Sequence, residues 1–295
     1  MKKSILLRLI VVSILIKIVV TLKRLPGSHI DTWIRLWSIQ YAKKLGISRV
    51  FELLVHPISG IRYFEFDFVF AQLTPFVGQK VLDVSSPRSF ALYYCKRNER
   101  VNYTMVNPDH LDVKETIIQA SAFGLANFNV QMADARALPF LDEKFDCVVC
   151  VSVIEHIKGS GDIDAIKEMW RVLKPGGKLI LTTHIAKQKR VEYRTTDQYN
   201  LTRVKRKKYF FQRVYDEESF QERILSQIPT QAYSVKIWGE KEKGWFDAYI
   251  NRWIKRGLAE TVWDPWHMST RFKAYDYVEQ LPGIGVIGSA FKKPL

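Results

Sequence analysis

The feature that most constrains the fold is a strand pattern between residues 126 and 156. One strand ends at Asp134-Ala135, a loop follows at Leu138-Pro139-Phe140, and an apolar run from Phe145 to Ser152 predicts a second, buried strand. Continuous apolar strands that alternate with helical stretches are typical of a parallel sheet covered on both faces. In such sheets ligands bind beyond the carboxyl ends of the strands, so functional residues are expected just after each strand.

Four short pieces follow one another in this region. They are Asp134-Ala135; Leu138-Pro139-Phe140-x-Asp142-x-x-Phe145-Asp146; Val151-x-Val153-Ile154-Glu155-His156-Ile157; and Arg171-Val172-Leu173-Lys174-Pro175-Gly176-Gly177. Together they resemble the class I S-adenosylmethionine-dependent methyltransferases, over roughly residues 60–240 with a last strand near 284–292. The resemblance implies a doubly wound, mostly parallel, seven-stranded Rossmann-like α/β sheet, with S-adenosylmethionine as the cofactor.

The resemblance also implies which residues contact the cofactor, and all of them lie at strand ends. They are Asp83, Ser85 and Ser86 after the first strand, Asn107 after the second, Asp134 and Ala135 after the third, and Ser152 after the fourth. In the family the acid at the place of Asp134 accepts a hydrogen bond from the adenine amine.

The chain departs from the family pattern at two of these places. The turn Asp-x-Gly-x-Gly-x-Gly has Ser85, Pro87 and Ser89 at its glycine positions. Asn107 stands where the family has an acid that binds the ribose hydroxyls, and Asp109 can substitute for it if the turn brings it inward.

The replaced turn still predicts a binding site for the amino-acid portion of the cofactor. Ser86 suits an N-cap and Pro87 the first helical position. A helix N-terminus offers free N–H groups and a positive dipole end. Arg88 either pairs with the cofactor carboxylate or crowds the pocket, and a tight junction that binds nothing is the alternative.

Acceptor chemistry is expected at the end of the fifth strand. His184 ends that strand and faces the region where methyl acceptors bind in this fold, so we predict it as the general base. The pair Glu155-His156 suggests acid–base catalysis. Because the pair is frequent in family members with different substrates, a structural or cleft-lining role is favoured.

The net charge of +15 is concentrated in two segments, residues 1–44 with +8 and residues 186–208 with +7. Each is expected to face a negatively charged partner. For the second segment an anionic lipid surface, a phosphorylated sugar and RNA all fit, as does a merely solvated face. No RNA-binding module is recognised, so nucleic acid is not an expected partner, and an RNA methyltransferase is a third interpretation based on charge alone.

Residues 4–22 are apolar and long enough to span a bilayer, although Arg8 and Lys17 interrupt them. A spanning helix, an in-plane anchor and a helix packed on the protein are the alternatives. If the helix spans, the basic residues after it place the large domain on the cytoplasmic side. We therefore expect a membrane anchor (1–27), a helical linker (28–58) and a methyltransferase-like domain (59–295). The domain carries a basic acceptor-side insert at 186–214. A tryptophan-rich insert at 241–282, between the last two strands, is expected to form a lid on the acceptor side.

The three cysteines give no disulfide framework, and Cys147 and Cys150 fall inside a predicted strand, so no metal site is expected. The sequence predicts S-adenosylmethionine-dependent methyl transfer to a small, lipid-linked or sugar-type acceptor at a membrane surface. The alternative is a methyltransferase-like membrane scaffold or binding subunit that has lost transfer.

Overall fold

The computed structural model describes residues 3–195, 207–230 and 233–295. Its strands are β1 (Lys80–Val84), β2 (Asn102–Asn107), β3 (Phe128–Met132), β4 (Phe145–Val151), β5 (Leu173–Ala186), β6 (Arg190–Arg194), β7 (Tyr209–Val214), β8 (Tyr233–Glu240), β9 (Phe272–Tyr275) and β10 (Ile284–Lys292). Its α-helices are α1 (Lys3–Leu22), α2 (Ser28–Gln40), α3 (Ala42–Leu45), α4 (Ile47–Val55), α5 (Arg62–Gln72), α6 (Arg88–Arg97), α7 (His110–Phe123), α8 (Gly161–Arg171), α9 (Glu217–Arg223), α10 (Trp245–Arg256), α11 (Leu258–Thr261) and α12 (Asp264–Arg271).

The central sheet has the order β3-β2-β1-β4-β5-β10-β8-β9. Its first five strands are parallel and the last three are antiparallel, which confirms a doubly wound, mostly parallel sheet. The predicted number of seven strands is wrong for the described residues, because β9 from the tryptophan-rich insert pairs with β8 as an eighth strand. β6 and β7 form a separate hairpin.

The strands are apolar on both faces because both faces are covered. Successive side chains of a strand point to opposite faces. In β4, Val149 accordingly joins one buried cluster with helix α5, and Val148 joins the other with helix α8. Cys147 and Cys150 are buried in the same strand, and burial raises the pKa of the Cys147 thiol to about 12. Parallel order brings the carboxyl ends of β1 to β5 to one edge of the sheet.

The N-terminal helices pack on this domain. Ile16 and Val20 of α1 are buried in the cluster that contains the sheet residue Val149. The Lys17 ammonium lies 3.2 Å from the buried carboxylate of Asp31 and donates to the Ser28 carbonyl. In the described part of the chain no helix is both long and apolar enough to cross a membrane, so a transmembrane helix at residues 4–22 is not supported.

The tryptophan-rich insert is held in place by two buried carboxylates. Glu240, at the end of β8, accepts from the Phe246 N–H at 2.7 Å and so fixes the first turn of α10. Asp264 accepts from His56 Nε2 at 2.9 Å and from the Tyr249 hydroxyl at 2.6 Å. Asp264 therefore joins the insert to the N-terminal segment, and we call the two together the cap (α1–α4 and α10–α12).

Candidate active site

The turn after β1 contains a left-handed backbone conformation of the kind that glycine usually adopts, although it has no glycine. Ser85, at the first glycine position of the family pattern, has φ of 56°, in the left-handed region that side chains disfavour. Its N–H donates to the Val106 carbonyl at 2.8 Å and its hydroxyl to the same oxygen at 3.0 Å. The turn is thus tied to β2 by two bonds that hold the serine in this conformation.

Asp83 and Ser86 brace this turn from inside the protein. One Asp83 oxygen accepts from the Ser86 N–H at 2.8 Å and the other from the Tyr103 hydroxyl at 2.6 Å. Burial raises the pKa of Asp83 to about 6. The Ser86 hydroxyl accepts from the Val151 N–H, so the predicted N-cap is wrong: Pro87 holds that position. In this arrangement Asp83 and Ser86 are buried and position the turn.

The end of β2 carries an acid that the sequence analysis missed. The Asn107 amide donates to Asp112 Oδ2 at 2.8 Å, and Arg88 pairs with the other oxygen of that carboxylate. Asp109 does not turn inward, because its side chain caps α7 by accepting from the Leu111 N–H. Asp112 therefore brings a carboxylate to the strand-end Asn107 from the first turn of α7. The sequence signal that could have identified Asp112 is an acid in the first helical turn, five residues after the strand-end Asn107.

Asp134 lies just after β3 with an accessible carboxylate. Arg136 Nε is 3.0 Å from each of its oxygens, and these hydrogen bonds lower the pKa of Asp134. The Asp134 side chain is 45% exposed, so the pair is open to solvent. The adjacent Ala135 is buried with Leu138 in the cluster below the edge, where Phe140 packs against it.

Ser152 lies just after β4, between the strand-end residues of β1 to β3 on one side and β5 on the other. It has a left-handed φ of 47°, is buried, and donates its hydroxyl to Glu65 of α5. The other Glu65 oxygen accepts from Arg62 Nη1 at 2.6 Å. Glu65 Oε1 also accepts from the Thr182 hydroxyl of β5 at 2.7 Å. Ser152 is thus fixed between β4, β5 and α5.

Beyond the ends of β4 and β5 lies a cavity of about 480 Å³. Its walls come from the start of α5, from the two histidines after β4 and in β5, from the β6–β7 hairpin and from α10. The lining residues are Ser59, Gly60, Ile61, Arg62, His156, His184, Arg190, Glu192, Arg194, Phe211, Gln212, Phe246, Asp247, Tyr249, Ile250, Asn251, Trp253 and Ile284. Residues 196–206 of the basic insert, with Asp197 and Tyr199, lie outside the described residues.

His184 reaches this cavity with a buried carboxylate behind it. Its Nδ1 lies 3.1 Å from Glu155 Oε1. Burial raises the pKa of Glu155, but the hydrogen bond from His184 and the nearby His156 outweigh it and bring the pKa to about 2. An ionised Glu155 accepts only, so His184 Nδ1 donates to it. The role of His184 as a general base stays a prediction.

His156 and the cap complete the cavity. His156 Nδ1 donates to the Phe211 carbonyl at 2.7 Å, and burial lowers the His156 pKa, which keeps the ring neutral at pH 7. Arg190 bonds Asp247 at 2.7 Å and Glu192 at 2.8 Å, which ties the hairpin to α10. The sequence analysis expected both inserts on the acceptor side but named none of these residues, since contacts over 57 positions leave no local pattern.

Comparison with known proteins identifies the central part of the chain. Residues 82–181, which run from within β1 to within β5, match the family model described as "Methyltransferase domain". This match supports a class I S-adenosylmethionine-dependent methyltransferase domain in the central part of the chain. The resemblance seen in the sequence is confirmed, and S-adenosylmethionine is the cofactor of such a domain.

Relatives of the methyltransferase domain are found among curated proteins and solved structures. The ubiquinone/menaquinone biosynthesis C-methyltransferase UbiE of Haemophilus ducreyi is 30% identical over 141 residues, 46% of this chain and 48% of that protein. The chain thus spans about half the length of this relative.

Solved structures share the fold. The [4+2]-cyclase SpnF has a TM-score of 0.53 at 19% identity, covering 78% of this chain and 80% of that one. Phosphoethanolamine N-methyltransferase 2 of Haemonchus contortus, solved with S-adenosylmethionine, has a TM-score of 0.51 at 14% identity, covering 88% and 57%. At these identities the likeness shows the fold alone.

The donor set of the methyltransferase domain fits its cofactor. Asp134 offers a carboxylate for an amine, and Asp112 offers one for hydroxyl groups. The first turn of α6 offers N–H groups that have no intrahelical acceptor. Arg136 and Arg88 pair with the two carboxylates, and such partly exposed pairs are worth about 0–1 kcal/mol, so a ligand can displace them at little cost. Among the described residues no group of histidines, cysteines and acids could hold a metal ion.

Proposed function

We propose that the protein transfers the methyl group of S-adenosylmethionine to a small acceptor in the cavity, with His184 as the general base. The observation that carries this proposal is the Glu155–His184 pair, which lines a 480 Å³ cavity at the carboxyl edge of a methyltransferase domain. The relatives' printed names, which refer to quinone biosynthesis and to phosphoethanolamine, support a small-molecule acceptor.

The cofactor would be held by strand-end groups. Asp134 accepts from the adenine amine, and Asp112, held by Asn107, accepts from the ribose hydroxyls. The N–H groups at the start of α6 and the hydroxyl of Ser85 face the amino-acid portion. Bound S-adenosylmethionine supplies a methyl group activated on a sulfonium sulfur.

The cavity residues would prepare the acceptor. His184 Nε2 removes the proton from the acceptor's nucleophilic atom, and the Glu155 carboxylate stabilises the resulting imidazolium. The network Arg62–Glu65–Ser152 fixes the wall between cofactor and acceptor. Positioning of the two reactants provides the rest of the rate enhancement.

The acceptor class follows from the lining. Phe246, Tyr249 and Trp253 offer apolar and aromatic surface, whereas Arg190 and Asn251 offer polar groups. This mixture suits a small lipid-linked or sugar-type acceptor. We place the reaction at a membrane surface, on its cytoplasmic side, where the basic segments meet anionic head groups.

A second candidate is a membrane scaffold or binding subunit without transfer activity. It is favoured by the loss of all three turn glycines and by the arginines that sit on Asp112 and Asp134. The structure named as a cyclase shares the fold, so the fold by itself does not fix the reaction. Cofactor binding discriminates the two candidates.

The test is calorimetric titration of the full chain with S-adenosylmethionine and its demethylated product. Micromolar binding that Asp134→Ala abolishes and Glu99→Ala leaves unchanged supports the proposal; Glu99 is an exposed acid whose partner is Lys96. A folded protein that fails to bind at about millimolar ligand, equivalent to only about 4 kcal/mol, favours the scaffold.

A further inference from the structure

Helix α1 has two unlike faces. Its inner face, with Ser13, Ile16 and Val20, is buried, and the Ser13 hydroxyl donates to the Val55 carbonyl at 3.2 Å. Its outer face carries a stripe of six apolar side chains that are between 48% and 79% exposed, with the exposed Arg8 beside it. The stripe consists of Leu7, Val11, Ile14, Leu15, Ile18 and Leu22. At about 1.5 Å per residue this stripe is about 22 Å long.

The N-terminal segment buries its acid and exposes most of its cations. Lys17, in the middle of the helix, is turned inward to Asp31, and Arg35 binds the same carboxylate at 2.7 Å. Asp31 is the one acid between residues 7 and 48, and it is buried. The exposed charged side chains of that range are all cationic: Arg8, Lys23, Arg24, Lys43 and Lys44.

Trp266 of the cap lies at the C-terminal end of the stripe. Helix α12 packs against α1, and the Lys23 ammonium lies 4.4 Å from the centre of the Trp266 ring. Trp263 of the same insert is also partly exposed. Tryptophan and lysine together are enriched where a protein meets the head groups of a bilayer.

We propose that the outer face of α1 docks in the plane of an anionic lipid leaflet. An apolar stripe with cations at its margins and no exposed acid matches the side of a helix that lies in a membrane interface. A second copy of the chain is the other occupant that an apolar face could take. It would bring the same cations together without an acid to pair them, which like-charge repulsion disfavours.

Vesicle co-sedimentation of the full chain tests the docking. Phosphatidylcholine vesicles that contain phosphatidylglycerol are expected to pellet the protein, and pure phosphatidylcholine vesicles much less of it. Ile14→Glu/Ile18→Glu places two carboxylates on the outer face and should weaken binding about tenfold or more. Ile117→Glu/Ile118→Glu adds the same charge to α7, where both side chains are about half exposed, and should bind as the natural protein does.

Equal binding by the two double variants overturns the proposal. So does a dimer in analytical ultracentrifugation that the α1 variant dissociates while vesicle binding is absent, because a second copy would then cover the face. Circular dichroism melts of each variant confirm folding, and calorimetric cofactor titration tests the methyl transfer separately. A protein that binds vesicles but not the cofactor leaves the docking intact and refutes the methyl transfer alone.

Discussion

The cofactor edge, by which we mean the residues that follow β1 to β3, and the cavity differ in how their carboxylates are paired. At the cofactor edge Asp134 pairs with Arg136, two positions along the chain, and this pair is partly open to solvent. In the cavity Glu155 is buried behind His184, 29 positions away. A ligand can displace Arg136 from Asp134, whereas burial holds the Glu155–His184 pair in place. The first arrangement suits a cofactor that many members of a family share. The second suits the acceptor that we propose for this protein.

Breaking the cavity should have the largest effect. His184→Ala removes the proposed base and should lower the rate of methyl transfer by about a hundredfold to ten-thousandfold. The readout is the transfer of a labelled methyl group into a small-molecule extract, with calorimetry to show that cofactor binding is unchanged. Glu155→Gln keeps the shape of the pair and should lose less activity. An unchanged rate for His184→Ala would remove this residue from the chemistry.

Breaking the cap should cost stability. Asp264→Ala leaves the Tyr249 hydroxyl, His56 and the Gly60 N–H without their buried acceptor. We expect a loss of about 3 to 5 kcal/mol in the free energy of unfolding, measured by urea denaturation. Asp276→Ala, an exposed acid of the same insert, should stay within about 0.5 kcal/mol. A similar loss in both variants would show that the network around Asp264 does not join the cap.

The turn at the cofactor edge can be examined through its pH dependence. The pKa of Asp83 is raised to about 6 in the folded protein, so its contribution to stability is fully present below the unfolded pKa of about 4 and is lost as the pH rises through about 6. The loss is at most about 3 kcal/mol. Asp83→Asn should remove this slope from unfolding curves measured between about pH 4 and 7. A slope that persists in the variant must come from other groups.

The smallest effect is expected at the ribose position. Asp112→Asn removes the charge that replaces the missing strand-end acid and should weaken S-adenosylmethionine binding about five- to tenfold. Asp109→Asn changes a neighbouring acid while keeping a good N-cap, so its affinity should match that of the natural protein. Equal losses in both variants would show that the loop, and not the Asp112 carboxylate, matters for the cofactor.

The contrast between local contacts and contacts between distant segments also explains which parts of the structure the sequence could predict. The strands and the residues at their ends follow from apolar runs and short motifs, which are local. β9 was missed because four residues in a helical insert carry too little periodicity. Asp112 was missed because its position depends on where α7 begins. The two inserts were expected on the acceptor side, but the individual lining residues were missed apart from the histidines, because the cavity is assembled by contacts between segments far apart in sequence.

Asp264 also affects the order in which the protein can mature. Its carboxylate accepts from His56, 208 positions earlier in the chain, so the N-terminal helices are made long before the group that fixes them. During synthesis, at about 5–20 residues per second, they must wait about 10 to 40 seconds for that partner. Until α12 is made, the side of α1 that packs against it has no partner. A nascent chain in this state exposes apolar surface, which is what chaperones bind.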